Sequence, residues 1–238
     1  MDVLQRLGDS KEIATQRLRG LERRLAREPQ RRIEYNQFMR EYLELGHARK
    51  LQEPVSSSLP HFYMPHHCVI KDSSTTTKLR VVFDASSKTT SGVSLNDSLM
   101  VGPVIQQEST SILIRFRSHE YVLTGDIEKM YRQILIDEKQ TSLQRILWRD
   151  NPAGTIETYE LLTLTYGTAS ASFVATKVIQ QLADLEADQF PKGAQVARRD
   201  FYVDDLITGA NSEEEIVEIR NQITAMLDKG GFKIRKWA

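Results

Sequence analysis

An acidic pair set between two β-prone triplets, Phe201-Tyr-Val-Asp-Asp-Leu-Ile-Thr208, constrains this chain more than any other segment. The flanking residues favour extended backbone, so Asp204 and Asp205 are expected in the turn of a hairpin, where Asn-Gly or Asp-Gly is the usual choice. Adjacent carboxylates repel, and their position between apolar strands points to a cation that both can reach. In a regular strand the two side chains would face opposite ways, whereas a tight turn lets them converge. A further isolated acid, Asp126, closes the β-prone run YVLTGDI. Aspartate is a common turn former and N-cap, and for Asp126 alone that reading prevails. Joined with Asp204 and Asp205, it completes a set of carboxylates at strand ends, which is what hard Mg²⁺ ions require beside substrate phosphates.

The rest of the chain alternates between helical and extended patterns. Residues 9–27 open with Asp9 and Glu12 at capping-box spacing and carry apolar Ile13, Leu18, Leu21 and Leu25, which predicts an amphipathic, strongly basic helix ended by Pro29. A second helix, RIEYNQFMREYLEL, closes at Gly46 as its C-cap. The pair should pack through Leu18, Leu21, Leu25 and Phe38 and leave Arg23, Arg24, Arg31 and Arg32 exposed, either as a solvated face or as a nucleic-acid or partner contact. After the proline-punctuated LQEPVSSSLP, HFYMPHHCVI and KLRVVFDAS read as strands around a Ser/Thr turn at residues 72–77. Residues 86–103 read as an ordered loop, STSILIRFRSH as a helix, YVLTGDI as a strand and EKMYRQI as a short helix or turn. Strands follow around ILIDE, LQRILWRD and TIETYELLTL, with a turn at residues 151–154. A helix over ASFVATKVIQQLADLEAD, the acidic hairpin, a helix from Ser212 to about Lys229 and a last strand, FKIRKW, complete an α+β pattern.

Composition narrows the partners. With 238 residues, 40% of them hydrophobic, the chain can bury a core. Its 32 basic and 32 acidic residues balance, yet residues 1–125 hold 18 basic and 14 acidic groups and residues 126–238 hold the reverse. Such segregation suits a protein that grips a polyanion with one region and holds cations in another. A lone cysteine, Cys68, rules out an internal disulfide framework and fits a reducing compartment. The longest apolar runs are far too short to cross a bilayer, and MDVLQRLGDS lacks the apolar core of a signal peptide, so no membrane partner is expected.

Five segments occur in order: KLRVVFDASSKTTSGVSLND, GDIEKMYRQI, LTYGTASASF, FYVDDLITG and GGFKIRKWA. Together they resemble the reverse transcriptase domain of long-terminal-repeat retrotransposon polyproteins, most closely the BEL/Pao group. The resemblance implies a right-hand polymerase fold, α+β, with a palm of antiparallel sheet plus helices, fingers, and a helical N-terminal leader. It implies a leader over 1–50, fingers over 51–105 and 135–162, and palm over 106–134 and 163–238, with thumb and ribonuclease H absent. The implied activity is RNA-directed DNA polymerisation, a two-metal nucleotidyl transfer from dNTP to the primer 3′-hydroxyl. By motif, Asp126 and Asp204 would ligate two Mg²⁺ ions, or Mn²⁺ in their place, with Asp205 completing the acidic site and the Ile127 carbonyl as a further ligand. Arg80 and Lys71 would contact the triphosphate, with Lys71 equally readable as an exposed loop lysine; Tyr131 would lie under the sugar, and Tyr166-Gly167 would form the turn before the helix lining the nucleotide pocket. Tyr166 is also readable as core. Ser172 departs from the pattern, since many relatives carry proline there. The implied partners are an RNA or DNA template with primer, dNTPs and the remaining polyprotein domains (protease, ribonuclease H, integrase), in a cytoplasmic retroelement particle.

Two other readings stay open: a catalytically inactive, truncated nucleic-acid-binding remnant of such a domain, and a different two-metal enzyme such as a nuclease. A zinc site from His61, His66, His67 and Cys68 is disfavoured, because consecutive residues of an extended strand point to opposite faces. Asp84-Ala-Ser lacks the Asp-Thr/Ser-Gly signature of retroelement proteases, and no Walker-type phosphate loop is present.

Overall fold

The computed structural model describes residues 3–52, 60–70 and 79–238. Its elements begin with α1 (Lys11–Ala26), α2 (Pro29–Glu44), β1 (Ala48–Lys50), β2 (His66–Ile70), β3 (Leu79–Phe83), α3 (Leu95–Ser98), α4 (Ser109–Arg117) and β4 (Tyr121–Ile127). There follow β5 (Arg145–Trp148), β6 (Glu157–Leu161), α5 (Ala171–Leu185), α6 (Pro191–Arg199), β7 (Phe201–Tyr202), β8 (Asp205–Ala210), α7 (Glu213–Lys229) and β9 (Ile234–Arg235). They gather in two units, Met1–Met100 with Leu135–Ala171, and Val101–Ile134 with Ser172–Ala238. The expected turn at residues 72–77, and Lys71 before it, lie outside the described residues.

In the first unit, α1 presents Ala14, Leu18, Leu21 and Leu25 at three- and four-residue intervals, and all four are buried. This stripe joins Tyr35, Met39 and Tyr42 of α2 in one core with Phe62, Val81, Phe83 and Trp148. Around that core lie the antiparallel sheet β1-β6-β5 and the hairpin β2-β3. On β3, Leu79, Val81 and Phe83 point inward while Arg80 points out. Glu22 receives both arms of the Arg149 guanidinium, at 2.7 and 2.9 Å, which fixes α1 against the residue that follows β5.

Several expectations need correction. Asp9 and Glu12 form no capping box: the N-cap is Ser10, whose hydroxyl instead accepts the Tyr63 N–H at 2.9 Å, and Glu12 is engaged by Gln16. Asp9 accepts the Lys11 N–H at 2.9 Å, so one orphan donor is still satisfied. Gly46 does close α2 in the left-handed region, φ 69°, with the His47 N–H returning to the Tyr42 carbonyl. HFYMPHHCVI is a strand only from His66; Pro65 lacks an N–H, and Tyr63 makes an isolated bridge to Arg145. ILIDE forms no strand beyond a Leu135–Thr163 bridge, because Asp137 turns the chain by accepting the Lys139 N–H. Within the expected loop over 86–103, Ser94 and Asp97 form a capping box and open α3. Arg32 is half-buried rather than exposed.

In the second unit the sheet order is β7-β8-β4-β9. Ser212 caps α7 by accepting the Glu215 N–H at 3.2 Å, and Glu213, Glu214 and Glu215 fill its first turn, where the helix dipole favours them. The sequence patterns do not reveal α6. Its first N–H groups are capped from a distance: the Gln222 side-chain oxygen on α7 accepts Lys192 N–H at 2.8 Å and Gly193 N–H at 3.1 Å. Gly193 lets the two helices close, since a Cβ there would sit 2.9 Å from the Gln222 backbone.

His66 supplies a test of the first unit. Its Nε2–H donates to the Leu147 carbonyl at 2.9 Å, which leaves Nδ1 to accept from the Tyr35 hydroxyl. Burial drives the imidazole down to about 4 from its ordinary 6.5. The neutral ring therefore contributes stability that is complete above pH 6.5 and is lost as pH falls toward 4, because the unfolded chain takes up the proton first. A shift of this size is worth roughly 3 kcal/mol. Melting curves between pH 7.5 and 4 should decline in that window for the parent, whereas His66→Gln should start lower and lose this component; parallel curves would refute it.

Candidate active site

The site is built on one register. β4 and β8 pair antiparallel so that Asp126 stands directly opposite Asp205, and β9 pairs on the other side of β4 with Arg235 opposite Asp126. Directly opposed residues project from the same face of a sheet, so the two carboxylates share a face. Like charges in that position repel. The Asp205 carboxyl is accordingly raised, first by burial and then by the negative charges of Asp204 and Asp126, with Lys236 working against the shift.

The hairpin differs from the expected Asp-Asp turn. Tyr202 pairs with Asp205, so the two turn residues are Val203 and Asp204, and Asp205 is already the first residue of β8. Val203 has φ 58°, a left-handed conformation that a β-branched residue adopts at a cost on the order of 1 to 3 kcal/mol. The turn is strapped in place: the Ile127 N–H donates to the Asp204 carbonyl at 2.9 Å. At the base of the hairpin, Asp200 accepts two bonds from the Arg115 guanidinium of α4, at 3.3 and 3.1 Å, and one from Thr208 at 2.9 Å. The Ile127 carbonyl, named as a ligand from sequence, belongs to this same strand end.

Lys236 is a site residue that the sequence reading missed. It follows β9 with φ 57° and sets its ammonium 3.0 Å from an Asp126 carboxylate oxygen. Its side chain is half exposed, 51%, so the ammonium can be withdrawn into solvent. The chain then runs on beside β4, with Thr124 and Ala238 exchanging backbone hydrogen bonds at 2.8 and 3.2 Å. Gly125 permits this approach, because a Cβ there would lie 3.0 to 3.1 Å from Ile234 and Trp237. Thr124, Gly125, Asp126, Asp205, Leu206, Ile207 and Lys236 line an open concavity of about 340 Å³. Among the described residues no three His, Cys, Asp or Glu stand as a preassembled set of metal ligands. The Lys236 ammonium supplies a counter-charge to Asp126. The donor chemistry, carboxylates backed by a removable cation, still fits a hard divalent ion.

Tyr131 lies in the same unit, on the short 3-10 helix Met130–Gln133 directly after β4. Its neighbours Met130 and Arg132 are buried, while Tyr131 is half-buried with its hydroxyl 3.3 Å from that of Ser172. Ser172 thus sits in the first turn of α5 with its hydroxyl against that of Tyr131.

Arg80, Tyr166 and Gly167 belong to the first unit. Arg80 is exposed on β3 and forms no ion pair among the described residues. Tyr166 packs against Phe83, ring centroids 5.7 Å apart. Gly167 has φ 101°, and a Cβ there would fall 2.3 Å from the Phe83 carbonyl oxygen, so only glycine fits this turn. Asn96, a second residue missed from sequence, braces it: the side-chain amide donates to the Gly167 carbonyl at 3.0 Å and to the Ser86 hydroxyl at 2.8 Å, and its oxygen accepts the Ala169 N–H at 2.8 Å. The zinc reading fails here, because His66 is consumed by Tyr35 and Leu147.

The raised Asp205 carboxyl gives a direct check. A group whose ionisation is hindered by folding destabilises the native state at neutral pH and relieves it as pH falls. Asp205→Asn should therefore melt at the same or a higher temperature than the parent at pH 7 without divalent ions. Lys236→Met should melt lower, having removed the counter-charge. A destabilised Asp205→Asn would contradict the repulsion described above.

Solved structures match this chain in fold. A foamy viral protease-reverse transcriptase in complex with RNA/DNA hybrid is 16% identical, with a TM-score of 0.66 over 88% of this chain and 24% of that one. The foamy viral protease-reverse transcriptase dRH in complex with ds DNA is 18% identical, with a TM-score of 0.62 over 83% of this chain and 29% of that one. The native Prototype Foamy Virus protease-reverse transcriptase is 15% identical, with a TM-score of 0.58 over 82% and 22%. This chain thus spans less than a third of the length of those it matches. No family model and no curated protein matches the sequence. At these identities the likeness is one of fold, a mixed helix and antiparallel-sheet architecture shared with reverse transcriptases.

Proposed function

We propose that this chain is the palm-and-fingers part of an RNA-directed DNA polymerase from a BEL/Pao-type long-terminal-repeat retroelement, acting on a primed RNA or DNA template with dNTPs. In this reading the second unit is palm and the first is fingers, and both work beside the protease, ribonuclease H and integrase of one polyprotein in a cytoplasmic particle. The observation that carries the reading is the register of Asp126 against Asp205, with Asp204 strapped to the end of β4 by the Ile127 N–H.

Asp126 and Asp204, with Asp205 beside them, would hold two Mg²⁺ ions, or Mn²⁺ in their place. When bound, the ions lower the pKa of the primer 3′-hydroxyl and neutralise the charge that builds on the triphosphate. The protein supplies position. The Asp204 carbonyl strap and the Arg115–Asp200 clamp keep the hairpin from moving relative to β4. Lys236 keeps Asp126 neutralised until a divalent charge replaces its own. Arg80, free of any protein carboxylate among the described residues, and Lys71 would receive the triphosphate, the arginine with a planar fork suited to phosphate. Tyr131 would close the space a 2′-hydroxyl requires, and Tyr166-Gly167, braced by Asn96, would shape the nucleotide pocket.

The Lys236–Asp126 ion pair also supports a second reading, a remnant that keeps the fold and binds nucleic acid with the acids permanently neutralised by lysine. Primer extension on an RNA template with Mg²⁺ or Mn²⁺ separates the two. The polymerase extends, and Asp204→Asn abolishes extension while folding is kept; a clean parent that binds template-primer without extending it is the remnant. Sugar choice adds a finer test. Tyr131→Val should incorporate ribonucleotides far more readily than the parent, with a moderate loss of deoxynucleotide activity, since steric exclusion is what the ring provides. An unchanged ratio in a variant that merely melts lower would remove Tyr131 from the site.

A further inference from the structure

The N-terminal helix carries more basic than acidic groups, and several of its arginines form no ion pair among the described residues. Between Asp9 and Arg32 the sequence holds seven arginines and one lysine against four acids. Each acid is already engaged: Asp9 by the Lys11 N–H, Glu12 by Gln16, Glu22 by Arg149 and Glu28 by Arg31. Arg17 is the other arginine with a partner, Asp84 at 3.7 Å. Arg19, Arg23, Arg24 and Arg27 are exposed and form no ion pair among the described residues.

Their placement is fixed by the opposite face of the helix. Ala14, Leu18, Leu21 and Leu25 are buried, so α1 cannot roll, and the Glu22–Arg149 pair holds it from the side. Arg19, Arg23 and Arg27 follow at four-residue intervals, and Arg27 at the C-cap keeps helical angles, φ −84° and ψ −12°. The three guanidinium bases therefore rise about 6 Å apart along one edge. The negative end of the helix dipole accounts for basic residues in the last turn, Arg23 and Arg24. It does not account for Arg19, which lies beyond the dipole's reach of one turn.

We infer that this edge of α1 is a nucleic-acid docking surface, separate from the acidic site, that tracks a phosphate backbone without reading bases. Arginine in place of lysine matches phosphate geometry, because the planar fork donates two parallel hydrogen bonds. The absence of base readout follows from the sequence of α1, which contains no aromatic residue on which a base could stack. The surface stands whether or not the chain polymerises.

The test uses the full chain, a fluorescein-labelled 20-base-pair RNA–DNA hybrid and binding isotherms at several KCl concentrations. Replacing Arg19, Arg23 and Arg27 together by glutamine should weaken binding at low salt about tenfold or more. It should also make the plot of log affinity against log salt shallower by roughly 2 to 3, which is three lost phosphate contacts. Neutralising three basic groups that already have acidic partners, Arg40, Lys192 and Arg198, changes net charge equally and should leave the slope close to that of the parent. An equal effect from both sets, or no effect from the first, overturns the inference. So does binding by the parent to phosphatidylserine vesicles and not to the hybrid. Asp204→Asn, run in parallel, should abolish extension and keep the slope, so a failure of the polymerase reading and a failure of this surface are told apart.

Discussion

Asp126 and Asp205 face one another because β4 and β8 pair without a bulge through six consecutive residues, Tyr121 against Ala210 at one end and the two acids at the other. Because side chains alternate with a period of two, a slip of one residue would turn one carboxylate to the opposite face, and the concavity would lose one of its two carboxylates. The placement of the hairpin, of Asp204 and of Lys236 follows from that register.

The arrangement is costly, and the surrounding structure offsets the cost. Opposed carboxylates repel, and Val203 occupies a backbone conformation that its side chain disfavours. Against these stand the Ile127–Asp204 backbone bond, the Arg115–Asp200–Thr208 cluster under the hairpin, and the Lys236 ammonium on Asp126. The last of these can be undone without disturbing the sheet, since β9 holds its backbone to β4 through Arg235 and Ile234 while the Lys236 side chain stays half exposed. In the first unit, buried Phe83 backs the exposed turn at Gly167, where only glycine fits against its carbonyl, and half-buried Tyr166 packs on the Phe83 ring.

What the sequence revealed was what depends on near neighbours. The stripe Leu18, Leu21, Leu25, the glycine closure at Gly46, the helix running to Lys229 from about Ser212 and the acidic hairpin are patterns within one or two turns of chain, and the structure contains each of them. What it concealed depends on distant partners. Helix α6 takes its cap from Gln222, about thirty residues on, so no local pattern marks its start. Lys236 reaches Asp126 across 110 residues, and within FKIRKW it is indistinguishable from Lys233. Asn96 looks like an ordinary loop residue until Gly167 and Ala169 are brought to it. The hairpin around the acids was legible, but the division of Asp204 and Asp205 between turn and strand was not, because Val203 takes the turn position that local preference would deny it.

Uptake of a divalent cation at the β4–β8 register tests the central claim most directly. Mn²⁺ binding followed by electron paramagnetic resonance, with the parent and Asp126→Asn at matched concentrations, is the measurement. The expected result is saturable uptake by the parent that is lost in Asp126→Asn and tightened in Lys236→Met, where the competing ammonium is gone. Uptake that is absent from the parent, or indifferent to Asp126, would contradict it.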